Sequence, residues 1–137
     1  MMSVRHPQLL EIARRDGRYA YEAYEFVITA YSFTQKMLGR SVPRRGQKPD
    51  PALHHVNGRQ LLEGIRQLAL RDYGLMAGTV FKRWGIHATD DFGEIVFGLV
   101  DGGLMSKTDE DSREDFHNVF DLNDSLMRDY EIKVDDV

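Results

Sequence analysis

Glycine punctuates this chain at intervals that fit helices and little else. Between stops at Gly17, Gly39, Gly74, Gly85 and Gly102-Gly103, apolar residues recur at helical spacing. Pro7 suits a first helical turn, and Leu9, Leu10, Ile12 and Ala13 then give a short apolar face. A longer helix is predicted over 19–38, where Ala20, Ala23, Tyr24, Val27, Ala30, Tyr31 and Leu38 form one stripe. Phe26, Phe33 and Met37 form its neighbour, and two adjacent stripes mark a central or shared helix. The third helix starts at Asn57, with Gln60 as capping-box partner and Val56 placed to staple onto Leu61. A short fourth helix carries Ala77, Val80, Phe81 and Trp84. Thr89 is the expected cap of a fifth, whose first turn holds Asp90 and Asp91 and whose face is Phe92, Ile95, Val96, Leu99 and Val100. Val56, Leu61, Ile65, Val80, Trp84, Phe92, Ile95 and Leu99 are expected to meet in one core, because stripes joined by short turns bury each other.

Two stretches break this pattern. Residues 39–55 hold three of the four prolines and the cations Arg40, Arg44, Arg45 and Lys48, a composition that suits a flexible loop. After Gly103, the runs 104–108 and 116–120 read as short strands flanking the polar stretch DEDSRED, that is, as a hairpin. A last helix would begin at Asp121 or Asn123. The fold expected is therefore mainly α with a small β-hairpin (α+β), a single domain over 1–137. Its parts are an N-terminal helical part over 7–39, the basic Pro/Gly loop over 40–55, and a winged-helix-like arrangement of three helices plus hairpin over 56–131.

Composition narrows the chemistry. No cysteine is present, which excludes disulfides, thiolate metal sites and a thiol nucleophile. The N-terminus lacks the apolar core of a signal peptide, and no apolar run approaches the ~18 residues of a membrane helix, so a cytoplasmic protein with no membrane contact is expected. A formal net charge of −4 conceals an asymmetry. Residues 1–85 hold 14 Lys+Arg against 7 Asp+Glu, and residues 86–137 hold 4 against 15.

No pattern specifies an activity. Calcium loops starting at Asp109 or Asp121 fail where the turn needs glycine and the site needs a closing glutamate. The five histidines (His6, His54, His55, His87 and His117) include no i, i+4 pair, so no metal site is expected. Nucleophile elbows, phosphate loops and dinucleotide fingerprints are absent. No catalytic residue and no cofactor are assigned.

The segments NGRQLLEGIRQLAL (57–70) and DFGEIVFGLVDGGLMSKTDEDSREDF (91–116), with the residues around Trp84, resemble an uncharacterised family of short bacterial proteins. The resemblance runs from about Tyr19 to Tyr130. It implies a bacterial cytoplasmic protein of one small domain, and it carries no activity, cofactor or site residue.

The leading functional expectation is a small non-enzymatic module that binds a protein partner. Its candidate face is acidic: Asp90, Asp91, Glu94, Asp109, Glu110, Asp111, Glu114 and Asp115. Such a face repels a nucleic-acid duplex, whose binding depends on Lys and Arg contacts. The alternative is a nucleic-acid accessory protein that uses Arg40, Arg44, Arg45 and Lys48, joined by Arg14, Arg15, Arg18, Lys82 and Arg83. A third reading is an enzyme without a readable motif, which a pocket of convergent ionisable groups would favour. The wide apolar sector of helix 19–38 also suggests a homodimer.

Overall fold

The computed structural model describes residues 6–39, 55–106 and 111–123. Within them the chain forms α1 (Pro7–Asp16), α2 (Tyr21–Met37), α3 (Gly58–Tyr73), α4 (Ala77–Arg83) and α5 (Thr89–Asp101). Single 3₁₀ turns lie at Gly74–Met76 and Arg113–Phe116. Of the basic loop expected over 40–55 all but His55 lies outside the described residues, as does the expected last helix beyond Asn123; its expected start over 121–123 is not helical.

The helix starts follow local chemistry. Pro7 occupies the first turn of α1. At α3, Asn57 Oδ1 accepts from the Gln60 amide at 2.8 Å and Gln60 Oε1 accepts from the Asn57 amide at 3.0 Å, a complete capping box. α2 is the central helix and packs against α1, α3 and α5. Ala23, Tyr24, Val27 and Ala30 are fully buried along it. The stripe of Ala23, Tyr24, Val27, Ala30 and Tyr31 is covered within one chain, whereas Phe33 of the neighbouring stripe is half-buried and Met37 is 40% exposed. α2 and α3 cross where Gly64 meets Thr34, whose hydroxyl donates back to the Ala30 carbonyl at 2.7 Å. A Cβ at position 64 would overlap that hydroxyl, so only glycine permits this approach.

The core continues through Leu61, Ile65, Leu68, Phe81, Phe92, Ile95 and Leu99, each at most 2% exposed. Phe81 and Phe92 meet edge to face, with centroids 5.1 Å apart. Val56, Leu61, Ile65, Phe92, Ile95 and Leu99 belong to this core, as their spacing requires. Trp84 is half-buried at its edge, and Val80 is also half-buried.

No hairpin is present among the described residues. Among the described residues there is no β-strand, and the winged-helix-like arrangement is corrected to a helical one. Backbone bookkeeping gives the reason. The run after α5 spends its first amides on the helix end: Gly103 donates to the Val100 carbonyl and Leu104 to the Leu99 carbonyl, with Gly103 left-handed at φ 78°. The run 116–120 spends its backbone on side chains of α5 and not on a strand partner. Thr89 Oγ1 donates to the Phe116 carbonyl at 2.7 Å and accepts from the Val119 amide at 2.9 Å. Asp90 Oδ1 accepts from the Asn118 amide at 2.9 Å, and Asn118 is itself left-handed at φ 43°. Phe116, Val119 and Phe120 are buried at i, i+3, i+4 spacing, which is not the alternation of a strand. Phe116 fits because Gly58 and Gly93 leave room; a Cβ on either would come within 2.9 Å of the phenylalanine ring or its Cβ.

Thr89 is also not the cap of α5. Ala88 takes that position, and Thr89 is the first helical residue with a fully buried side chain.

Candidate functional site

The first turn of α5 gathers three segments. Thr89 and Asp90 hold the 116–119 segment, as above. Asp91 reaches back: its Oδ2 accepts from the His87 and Ala88 amides at 2.8 and 3.1 Å, and its Oδ1 accepts from the Tyr19 hydroxyl at 2.5 Å. Burial, then the bond to Asp91, pushes the Tyr19 phenol well above its ordinary range. On the outer side, His117 Nδ1 lies 2.7 Å from Asp90 Oδ2. The Asn118 amide, followed by His117, holds the Asp90 carboxyl below its ordinary value, and the bond to Asp90 raises the His117 imidazole above 6.5.

Beside this turn an open cleft of about 340 Å³ lies between α1, α2 and α5. Its walls are ion-paired. Asp16, the last residue of α1, accepts from Arg18 Nε at 2.6 Å and from the Tyr24 hydroxyl at 2.7 Å. Arg18 Nη2 lies 3.5 Å from Glu94, and Arg113 Nε lies 3.2 Å from the same carboxylate. The Arg113 guanidinium rests over the Phe97 ring at 4.7 Å and that of Arg18 over the Tyr19 ring at 5.2 Å. Burial opposes ionisation of Asp16, but the bonds from Arg18 and Tyr24 outweigh it and hold the carboxyl below the usual range. Burial and Asp16 together push the Tyr24 phenol far up, and the bond to Asp16 raises the Arg18 guanidinium. Such groups keep their charge states across neutral pH. They can hold and orient a ligand, whereas proton transfer needs a group poised near neutrality, which Asp16, Arg18 and Tyr24 are not.

A second cleft, of about 210 Å³, opens between α2, α3 and α4. Phe26, Tyr73 and Trp84 form its aromatic side, and Glu22, Glu25 and Asp72 stand at its rim. Burial, then Asp72 and Glu25, raise the Tyr73 phenol.

The acids expected to form one partner-binding face are largely occupied. Asp90 and Asp91 hold backbone amides; Glu94 lies between two guanidiniums; Asp111 lies 3.4 Å from His55 Nε2. Asp115 accepts from the Ser112 amide at 3.2 Å, capping the last 3₁₀ turn, and Glu114 is exposed. Asp109 and Glu110 lie outside the described residues, as do Arg40, Arg44, Arg45 and Lys48. Of the other cations, Arg15 and Arg18 line the first cleft, and Arg14, Lys82 and Arg83 are exposed. Among the described residues no three His, Asp or Glu side chains converge as metal ligands, and no helix is long and apolar enough to cross a membrane.

Sequence reasoning did not find Asp16, Tyr24 and Glu94 as one network, nor the carboxylates around Trp84. The one local signal was the Asp16-Gly17-Arg18 triplet, in which a left-handed glycine folds the arginine back onto the acid. No family profile, curated protein or solved structure matches the chain.

Proposed function

We propose that the chain is a small, non-enzymatic, cytoplasmic interaction module for a protein partner, and that it docks through the corner where α3 passes into α4. One observation carries this reading. Leu75 and Met76 are 63% and 57% exposed in the 3₁₀ turn that directly follows Tyr73, itself a lining residue of the aromatic cleft. Two adjacent large apolar side chains left exposed at a helix–helix corner are the kind of surface a protein partner covers. A second copy of the chain is one partner this surface would accept.

The test is affinity purification of the tagged protein from its host with nuclease present, alongside a Leu75→Glu/Met76→Glu variant. We expect a protein to co-purify with the wild type and to be lost from the variant, whose melt stays unchanged. Retention by the variant, or no co-purifying protein, would reject the reading. A second reading, an enzyme, is favoured by the convergence of Asp16, Arg18, Tyr24 and Glu94 on the first cleft. The opposed ionisations of Asp16 and Tyr24 weigh against it.

A further inference from the structure

The cleft between α1, α2 and α5 has a floor that the fold does not require. Gly98 lies inside α5, lines the cleft, and has no left-handed backbone to explain it. Glycine within a helix is unfavourable relative to alanine. At Gly64 and Gly93 that penalty has a packing reason, because a Cβ would run into Thr34 or Phe116. At Gly98 it has none. A Cβ there would meet only Ile12 Cγ2 and Tyr24 Cε1, each at 3.9 Å, which is ordinary contact. Alanine would therefore serve the fold better, and what the glycine keeps is open space above the backbone of α5. Around that space stand hydrogen-bond donors that the chain itself does not use. Asp16, Arg18, Glu94 and Arg113 form a chain of alternating charge. Arg113 is held at two points, by its Nε on Glu94 and by its plane on Phe97, and no partner among the described residues takes its Nη donors. Arg15, from α1, reaches only Glu11, at 3.7 Å, and its side chain is 82% exposed.

We infer that this cleft binds a small organic carboxylate, with its apolar body on Gly98 and Ile12, its carboxylate on the Nη donors of Arg113, and Arg15 as the second cation. A guanidinium is a planar fork that matches a carboxylate with two parallel bonds. A single charge suits the site better than a double one. Asp16, Glu94 and Asp101 balance Arg15, Arg18 and Arg113, so the lining sums to zero. The desolvation penalty of an ion grows steeply with its charge, and a neutral lining does not offset it. The volume, about 340 Å³, is that of a small-molecule site. The cleft shares no lining residue with the turn of Leu75 and Met76, so this inference is independent of the interaction-module reading.

The amides of Gly98 and Gly102 report on the cleft through their chemical shifts in the isotope-labelled full chain. At constant ionic strength the chain is titrated with benzoate, the uncharged benzamide, the cationic benzylamine and phenyl phosphate. Each is taken to about 20 mM, since so small a ligand binds in the millimolar range. Benzoate should shift both amides saturably, benzamide and benzylamine should not, and phenyl phosphate should bind more weakly. Arg113→Gln should weaken benzoate about three- to fivefold, and so should Arg15→Gln, as for loss of one partner of an exposed ion pair. Gly98→Ala should raise the melting midpoint by about 3–5 °C. Gly98→Leu should abolish the benzoate shifts with a melt at or above that of the wild type. If Gly98→Leu unfolds the chain, Arg113→Gln, at an exposed side chain, still decides. No saturable shift with benzoate, an equal response to benzamide, tighter binding of phenyl phosphate, undiminished binding by Arg113→Gln, or a lower melt for Gly98→Ala would each overturn the proposal.

Discussion

In the cleft between α1, α2 and α5, Asp16 is met by Arg18 and Tyr24, and Glu94 by Arg18 and Arg113. In the cleft between α2, α3 and α4, Glu22, Glu25 and Asp72 stand beside three aromatic rings, with one guanidinium on Asp72 from outside. Both clefts are rich in acids, yet the charge serves different ends. Where carboxylates are answered from within the chain, they join segments distant in sequence and belong to the fold. At the second cleft Glu25 lies on one face of α2, and removing its charge should leave the fold intact.

Three predictions test that contrast, in falling order of effect on stability. Trp84→Ala should destabilise the chain by about 3 kcal/mol, the low end for a large aromatic because Trp84 is only half-buried. The rings of the second cleft are thus structural even where its acids are not. A thermal melt within error of the wild type would show that Phe26, Tyr73 and Phe81 do not depend on it.

Tyr24→Phe, at a fully buried ring, should cost about 1.5–3 kcal/mol at neutral pH through loss of a hydrogen bond to a charged acceptor. The sign with pH follows from Asp16. Its folded-state carboxyl lies below the ordinary value of 3.8, so its contribution is fully present above that value and is lost as pH falls through the folded one. Without the Tyr24 hydroxyl the folded value rises, and the two proteins should converge in stability in acid. Denaturant melts across that range check this, and a difference that persists undiminished would show that Asp16 is not the acceptor that matters.

The smallest effects come from one matched pair. Glu94→Gln, which breaks two partly exposed ion pairs, should cost about 0.5–1 kcal/mol. Glu25→Gln should stay within about 0.5 kcal/mol of the wild type, or stabilise slightly by easing repulsion from Glu22. Measured side by side in low salt, an equal cost for both would erase the distinction between the clefts.

Much of this fold was legible because its signals are local. The stripe of α5, the capping box of Asn57 and Gln60, and the glycine stops each lie within one or two turns of chain, where spacing alone decides. The hairpin misread had a local cause as well: phenylalanine and valine over 116–120 suggested strand, while their i, i+3, i+4 spacing denied it. What denied it more firmly was not local. Thr89 and Asp90, 27–30 residues earlier, take the backbone groups a strand would need. The same distance hid the sites. Asp16 and Glu94 converge through Arg18, and Glu25 meets Tyr73 and Trp84, only after α2 has been packed against its neighbours.

The threonine that begins α5 has a consequence for how the molecule opens. Helix ends ordinarily loosen first and alone. Thr89 uses one buried hydroxyl as donor to the Phe116 carbonyl and acceptor from the Val119 amide. Unwinding that turn therefore strands two backbone groups in the interior, and withdrawing Phe116 vacates the space between Gly58 and Gly93. Neither event is affordable without the other. The first turn of α5 and the irregular segment 111–123 thus open as one cooperative unit. The amide of Val119, in chain with no regular structure, should therefore exchange with solvent no faster than the first turn of the helix it is tied to.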